Sequence, residues 1–113
     1  MKRDLELARK VLLEVEKQTY TGELLDIVVD GYTPEEVAYH ILLLSDGEYL
    51  VADYIGGVDA VPLWLPSRLT WKGFDALDLI RDDKQWADLV HTAESLKIPL
   101  TFDTVAYRQV STS

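Results

Sequence analysis

The chain has 113 residues, 48% of them hydrophobic and 27% charged, and its 20 Asp and Glu against 11 Lys and Arg give a formal charge of -9. With no cysteine in the sequence, disulfides, thiolate zinc sites and cysteine-ligated iron-sulfur clusters are excluded. An isoelectric point near 4.5 opposes general attraction to nucleic acid and anionic membranes.

This length suits one compact domain, residues 1–113, able to bury a core without a covalent staple. The start Met1-Lys2-Arg3-Asp4 lacks the apolar run of a signal peptide, and no segment holds the ~18 apolar residues that cross a bilayer. A soluble, cytoplasmic protein is therefore expected.

From Asp4 to Lys17, Leu5, Ala8, Leu12 and Val15 recur at helical spacing, with Leu7, Val11 and Leu13 widening the stripe. That pattern predicts an amphipathic helix. Leu24 to Val29 is short and rich in β-branched residues, which predicts a strand closed by Asp30-Gly31.

Thr33-Pro34-Glu35-Glu36 combines a Thr N-cap, a proline at the first helical position and a glutamate three residues after the cap. The helix it opens is expected to bury Val37, Ala38, Ile41, Leu42 and Leu44 and to expose Glu35, Glu36, Tyr39 and His40. Gly47 is the expected left-handed residue at its end. Tyr49 to Ile55 and Ala60 to Leu65 read as a hairpin around Gly56-Gly57-Val58-Asp59, with Pro62 and Pro66 confining the second run to an edge.

Thr70 is placed to cap a helix carrying Phe74, Leu77, Leu79 and Ile80. Asp82-Asp83 is placed to cap one carrying Trp86, Leu89, Val90, Ala93 and Leu96, and Thr101 a last one with Phe102, Val105, Ala106 and Val110. The order helix, strand, helix, hairpin, helices predicts an α+β, winged-helix-like domain, with residues 71–111 as a helical extension.

Two stretches carry a resemblance. Ala38 to Leu50, AYHILLLSDGEYL, is similar to the helix-glycine-strand passage of winged-helix regulators, and Leu69-Thr70-Trp71-Lys72-Gly73 to the Leu-Thr-x-x-Gly that follows it there. Together with Met1-Lys2-Arg3-Asp4-Leu5-Glu6-Leu7 and Ile80-Arg81-Asp82-Asp83-Lys84-Gln85-Trp86, they more closely resemble an uncharacterised family of bacterial and phage proteins, domain-of-unknown-function family 2513. The resemblance covers about residues 1 to 105. It implies a winged-helix-like fold and occurrence in phage and prophage genomes, and it supplies no catalytic residue. Between Lys17 and Thr33 the sequence holds a strand where a regulator keeps the first helix of its helix-turn-helix, so the DNA-reading scaffold is incomplete.

Charge points the same way. Between Lys17 and Arg68 there is no Lys or Arg but nine carboxylates: Glu23, Asp26, Asp30, Glu35, Glu36, Asp46, Glu48, Asp53 and Asp59. The other 11 acids balance all 11 bases, so the whole net charge belongs to this block. Proteins that grip duplex DNA rely on Lys and Arg displacing counterions from phosphates, and the expected recognition helix and wing offer neither. A winged-helix DNA-binding regulator is accordingly a second alternative. The first is an acidic DNA mimic that occupies the basic cleft of a host nucleic-acid enzyme. A solvated acidic surface that only maintains solubility explains the same residues without a partner.

Enzyme chemistry finds little support. His40 and His91 are the only imidazoles and are expected as surface or cap residues; Glu35-Glu36 and Asp82-Asp83 are explained by helix N-termini. Arg81 is expected to pair with a nearby acid. No dinucleotide loop, phosphate loop or nucleophile elbow occurs. No cofactor, metal or small-molecule ligand is expected.

The hairpin carries the candidate site. In Pro62-Leu63-Trp64-Leu65-Pro66 an alternating strand points Trp64 away from Leu63 and Leu65, so one large apolar group faces away from the core. Tyr54, Ile55 and Trp64, flanked by Asp53 and Asp59, are the expected interface with a protein partner or a second copy, and the protein is expected to be non-enzymatic.

Overall fold

The computed structural model describes residues 1–56 and 63–102. Among them are four helices and one two-stranded antiparallel sheet, a mixed α+β architecture. Two compact units divide the chain, Met1–Phe74 and Asp75–Ser113.

In the first unit, α1 (Leu5–Lys17) starts where Asp4, in extended conformation, accepts hydrogen bonds from the Glu6 and Leu7 amides. It buries Leu7, Ala8, Val11, Leu12 and Val15 of the expected stripe, leaves Leu5 and Leu13 half-buried, and also buries Arg9. Helix α2 (Pro34–Asp46) has the full capping box: the Glu36 amide donates to Thr33 Oγ1 at 3.1 Å and the Thr33 amide to Glu36 Oε1 at 3.0 Å. Two otherwise orphaned donors are satisfied there by residues three apart, which is why so short a signal locates the boundary. Helices α1 and α2 pack on each other and on the hairpin.

The segment Leu24–Val29 departs from the expected strand. Its side chains do alternate, with Leu25, Ile27 and Val29 buried and Asp26 and Val28 exposed. It forms no ladder and is joined to the hairpin by a bond from the Leu25 amide to the Pro66 carbonyl at 2.7 Å. Pro66 has no N–H with which to return that bond, so the reciprocal pair that begins a ladder cannot form.

Strands β1 (Leu50–Ile55) and β2 (Leu63–Leu69) pair with Ala52 opposite Pro66 and Val51 opposite Arg68, leaving Ser67 as the extra residue of a bulge. The second strand thus lies about half a strand further along than the run Ala60 to Leu65 suggested. Pro66 sits beside the bulge, and with only β1 paired to it β2 is an edge strand, the position the prolines led one to expect. Gly57 to Asp59 of the expected turn and Ala60 to Pro62 of the expected second run lie outside the described residues.

Helix α3 (Trp71–Ile80) runs across the division between the units and buries Gly73, Ala76, Leu77 and Ile80. The expected inward Phe74 is instead 46% exposed. In the second unit, α4 (Asp83–Leu96) is capped by Asp82, whose carboxylate accepts from the Gln85 amide at 2.8 Å, so α3 and α4 are separate helices. It buries Trp86 and Ala93, while Leu96, expected inward, is exposed. Arg81 pairs with Asp78 at 2.7 Å. Of the last expected helix, only Thr101 and the buried Phe102 fall within the described residues.

Candidate functional site

The passage from α2 into β1 is built around Tyr49. Gly47 ends the helix in right-handed conformation with φ -78°, and the left-handed residue is Glu48, at φ 67°. The expected left-handed residue was Gly47. Gly47 is small for a different reason: a Cβ there would stand 2.9 Å from the Tyr49 ring.

The Leu-Thr-x-x-Gly stretch closes on this turn from the far end of the hairpin. The Thr70 amide donates to the Tyr49 carbonyl at 3.1 Å, Thr70 Oγ1 donates to the Glu48 carbonyl at 2.5 Å and also accepts from the Gly73 amide at 3.0 Å, capping α3. Lys72 Nζ donates to the Gly47 carbonyl at 3.0 Å and lies 4.6 Å from the centre of the Tyr49 ring, a cation–π arrangement. Gly73 packs so closely on the Tyr49 carbonyl that no side chain fits. This motif is a clasp holding the base of the hairpin, and it leaves the tip free.

At the tip, register places Tyr54 opposite Trp64 and Ile55 opposite Leu63. The two aromatic rings meet edge to face, 5.6 Å apart at 66°, a pairing that adds about 0.5–1.5 kcal/mol beyond area burial. Tyr54 is nevertheless 53% exposed and Ile55 45% exposed, and Trp64, Leu63 and Leu65 are half-buried. Successive strand residues face opposite sides, so the tip offers apolar surface on both. Asp53, opposite Leu65, is exposed beside them. Tyr54, Ile55, Trp64 and Asp53 are therefore brought together, while Asp59 lies outside the described residues.

Eight carboxylates of the acidic block are described; seven are exposed and Glu36 is half-buried. Among the described residues none of the eight forms a salt bridge. Nearby bases are engaged elsewhere. Arg9 is buried with Glu6 at 3.8 Å, Lys10 stands 5.7 Å from the centre of the Tyr32 ring, and Arg68 donates to the Leu69 carbonyl at 3.3 Å.

His40, expected at the surface, is 2% exposed. Its Nε2 accepts from the Asp4 amide and its Nδ1 donates to the Glu36 carbonyl, each at 2.8 Å, which fixes one neutral tautomer. The imidazole thus ties the start of α1 to α2, satisfying an orphan donor as a cap does. With both ring nitrogens committed, it has none left for a metal. Close by, partial burial, followed by the neighbouring Asp4 carboxylate, raises the Tyr32 hydroxyl above its ordinary pKa of 10.0.

A second aromatic surface escaped the sequence reading. Tyr20 and Phe74 flank a groove of about 460 Å³ floored by Val15 and Leu69, and Trp71, one helical turn before Phe74, is 85% exposed. The Trp71-x-x-Phe74 spacing was the available signal, since residues three apart share a helix face. Among the described residues there is no group of three His, Cys, Asp or Glu arranged to hold a metal, and no helix long and apolar enough to cross a membrane.

The chain is 34% identical over 106 residues to an uncharacterized protein of Haemophilus influenzae, an alignment covering 93% of this chain and 89% of that protein. No solved structure matches it. The model of the family described as hypothetical protein (DUF2513) matches residues 2–98, a span holding the hairpin, its clasp and the caps at Asp4, Thr33 and Asp82. The chain therefore belongs to the DUF2513 family.

Proposed function

We propose that this is a non-enzymatic interaction protein of phage or prophage type, built on a winged-helix-like scaffold, that acts in the cytoplasm by protein–protein contact through its hairpin tip. The observation that carries the proposal is the exposed Tyr54–Trp64 pair beside Ile55. Aromatic side chains of this kind serve as interface anchors, burying large area at little entropic cost. The clasp at Tyr49 supports the reading because it fixes the hairpin base without using the tip.

The helix–segment–helix–hairpin order of the first unit favours the winged-helix likeness, and the phage assignment follows from the family resemblance. Duplex binding is disfavoured because α2 and β1 carry carboxylates and no Lys or Arg of their own to meet phosphates.

Light scattering on the chromatographed protein and pull-down with Trp64→Ala test the proposal together. Loss of a defined assembly or partner in the variant is expected. A monomer whose recovered partners are unchanged by Trp64→Ala would refute it.

A further inference from the structure

We infer that the hairpin tip takes the cationic surface of another protein, a groove with apolar walls and a Lys/Arg rim, and not a second copy of this chain. The inference rests on the interface reading above and adds the partner's chemistry.

Charge decides between the two occupants. The block from residue 18 to 67 carries the equivalent of the whole net charge of -9, and its eight described carboxylates have no salt bridge among the described residues. Bases at its borders form no ion pair with it: Lys72 donates to the Gly47 carbonyl and lies over the Tyr49 ring, and Arg68 donates to the Leu69 carbonyl. A second copy docked through the same tip would bring an identical acidic block, on a chain of the same net charge of -9, toward this one. Salt screens such repulsion only beyond about 8 Å at physiological ionic strength. A cationic surface turns the same field into attraction and faster encounter.

Shape sets the form of the partner. Tyr54 and Trp64 lie on one side of the tip and Ile55 and Leu63 on the other, so a flat surface would cover only half of the apolar area. A groove covers both. Asp53, exposed beside them, then falls at the rim, where interfaces keep their polar and charged groups.

The test uses the full chain, a fluorescent alternating lysine–leucine peptide as the cationic amphipathic probe and its glutamate–leucine counterpart. Anisotropy is expected to show binding of the lysine peptide alone, weakening as salt rises. Tyr54→Ala/Trp64→Ala should weaken it by at least about tenfold. Asp53→Lys, which keeps the aromatic pair, should weaken it several-fold. Far-UV circular dichroism checks that both variants fold.

Equal binding by the double variant would mean attraction without a site and would overturn the inference, as would binding of both peptides or of neither. Sedimentation velocity separates this failure from failure of the interface reading. A dimer dissolved by the double substitution keeps the tip as an interface but refutes the cationic partner; no effect of that substitution in either assay refutes both.

Discussion

Single residues hold the hairpin in place, and Gly73 is the most demanding of them. Its missing side chain lets α3 approach the Tyr49 carbonyl, and an added Cβ would collide with backbone, which cannot swing aside. Gly73→Ala is expected to cost about 2–3 kcal/mol, as over-packing at a rigid contact does, read as a lower urea midpoint at unchanged slope. Gly56→Ala is the matched control, since its Cβ would meet only the tip of the Tyr54 side chain, and a change within about 0.5 kcal/mol is expected. The glycine was visible in the motif, but its reason was not, because the carbonyl it meets is 24 residues away in sequence. His40 was legible and misjudged: with Val37, Ile41 and Leu44 it completes an i, i+3, i+4, i+7 face, and all four are buried. Glu48 was not legible, since it takes the left-handed conformation that its neighbour Gly47 would be expected to adopt.

Elements with local causes were read correctly. The α2 boundary depends on Thr33, Pro34 and Glu36, all within four residues, and the capping box forms as the spacing dictates. Thr33→Ala should therefore lower stability by about 1 kcal/mol, measured by equilibrium unfolding, whereas no loss would show that the box is idle. The caps at Asp4 and Asp82 act through the same short-range bonds. Elements that need a distant partner were read less well. The β-branched content of Leu24–Val29 suggested a strand, and alternate residues are buried there, but no ladder forms because Pro66 denies it one. Ser67 and Arg68 interrupted the apolar run that marked β2, yet they continue the strand through a bulge. The pairing of Tyr54 with Trp64 depends on that register, and so the tip could be nominated from sequence while its edge-to-face geometry could not.

Across the whole molecule, charge was the most legible property, because an absence of bases between Lys17 and Arg68 needs no fold to be seen. Structure adds that the block's described carboxylates make no ion pair among the described residues, while Lys10 and Lys72 touch the block only through the Tyr32 ring and through the Gly47 carbonyl and Tyr49 ring. The division at Phe74 and Asp75 had no counterpart in composition, since α3 runs through it without a linker. What most directly tests the claim that unpaired carboxylates keep this fold off phosphate, and leave its hairpin to protein, is an anisotropy titration of a labelled DNA duplex with the full chain at low salt. No saturable binding is expected at concentrations up to about 100 μM, the weak end of ordinary non-specific DNA affinity. Micromolar binding that falls linearly on a log–log plot against salt would contradict it, because that slope counts phosphate contacts made by Lys and Arg.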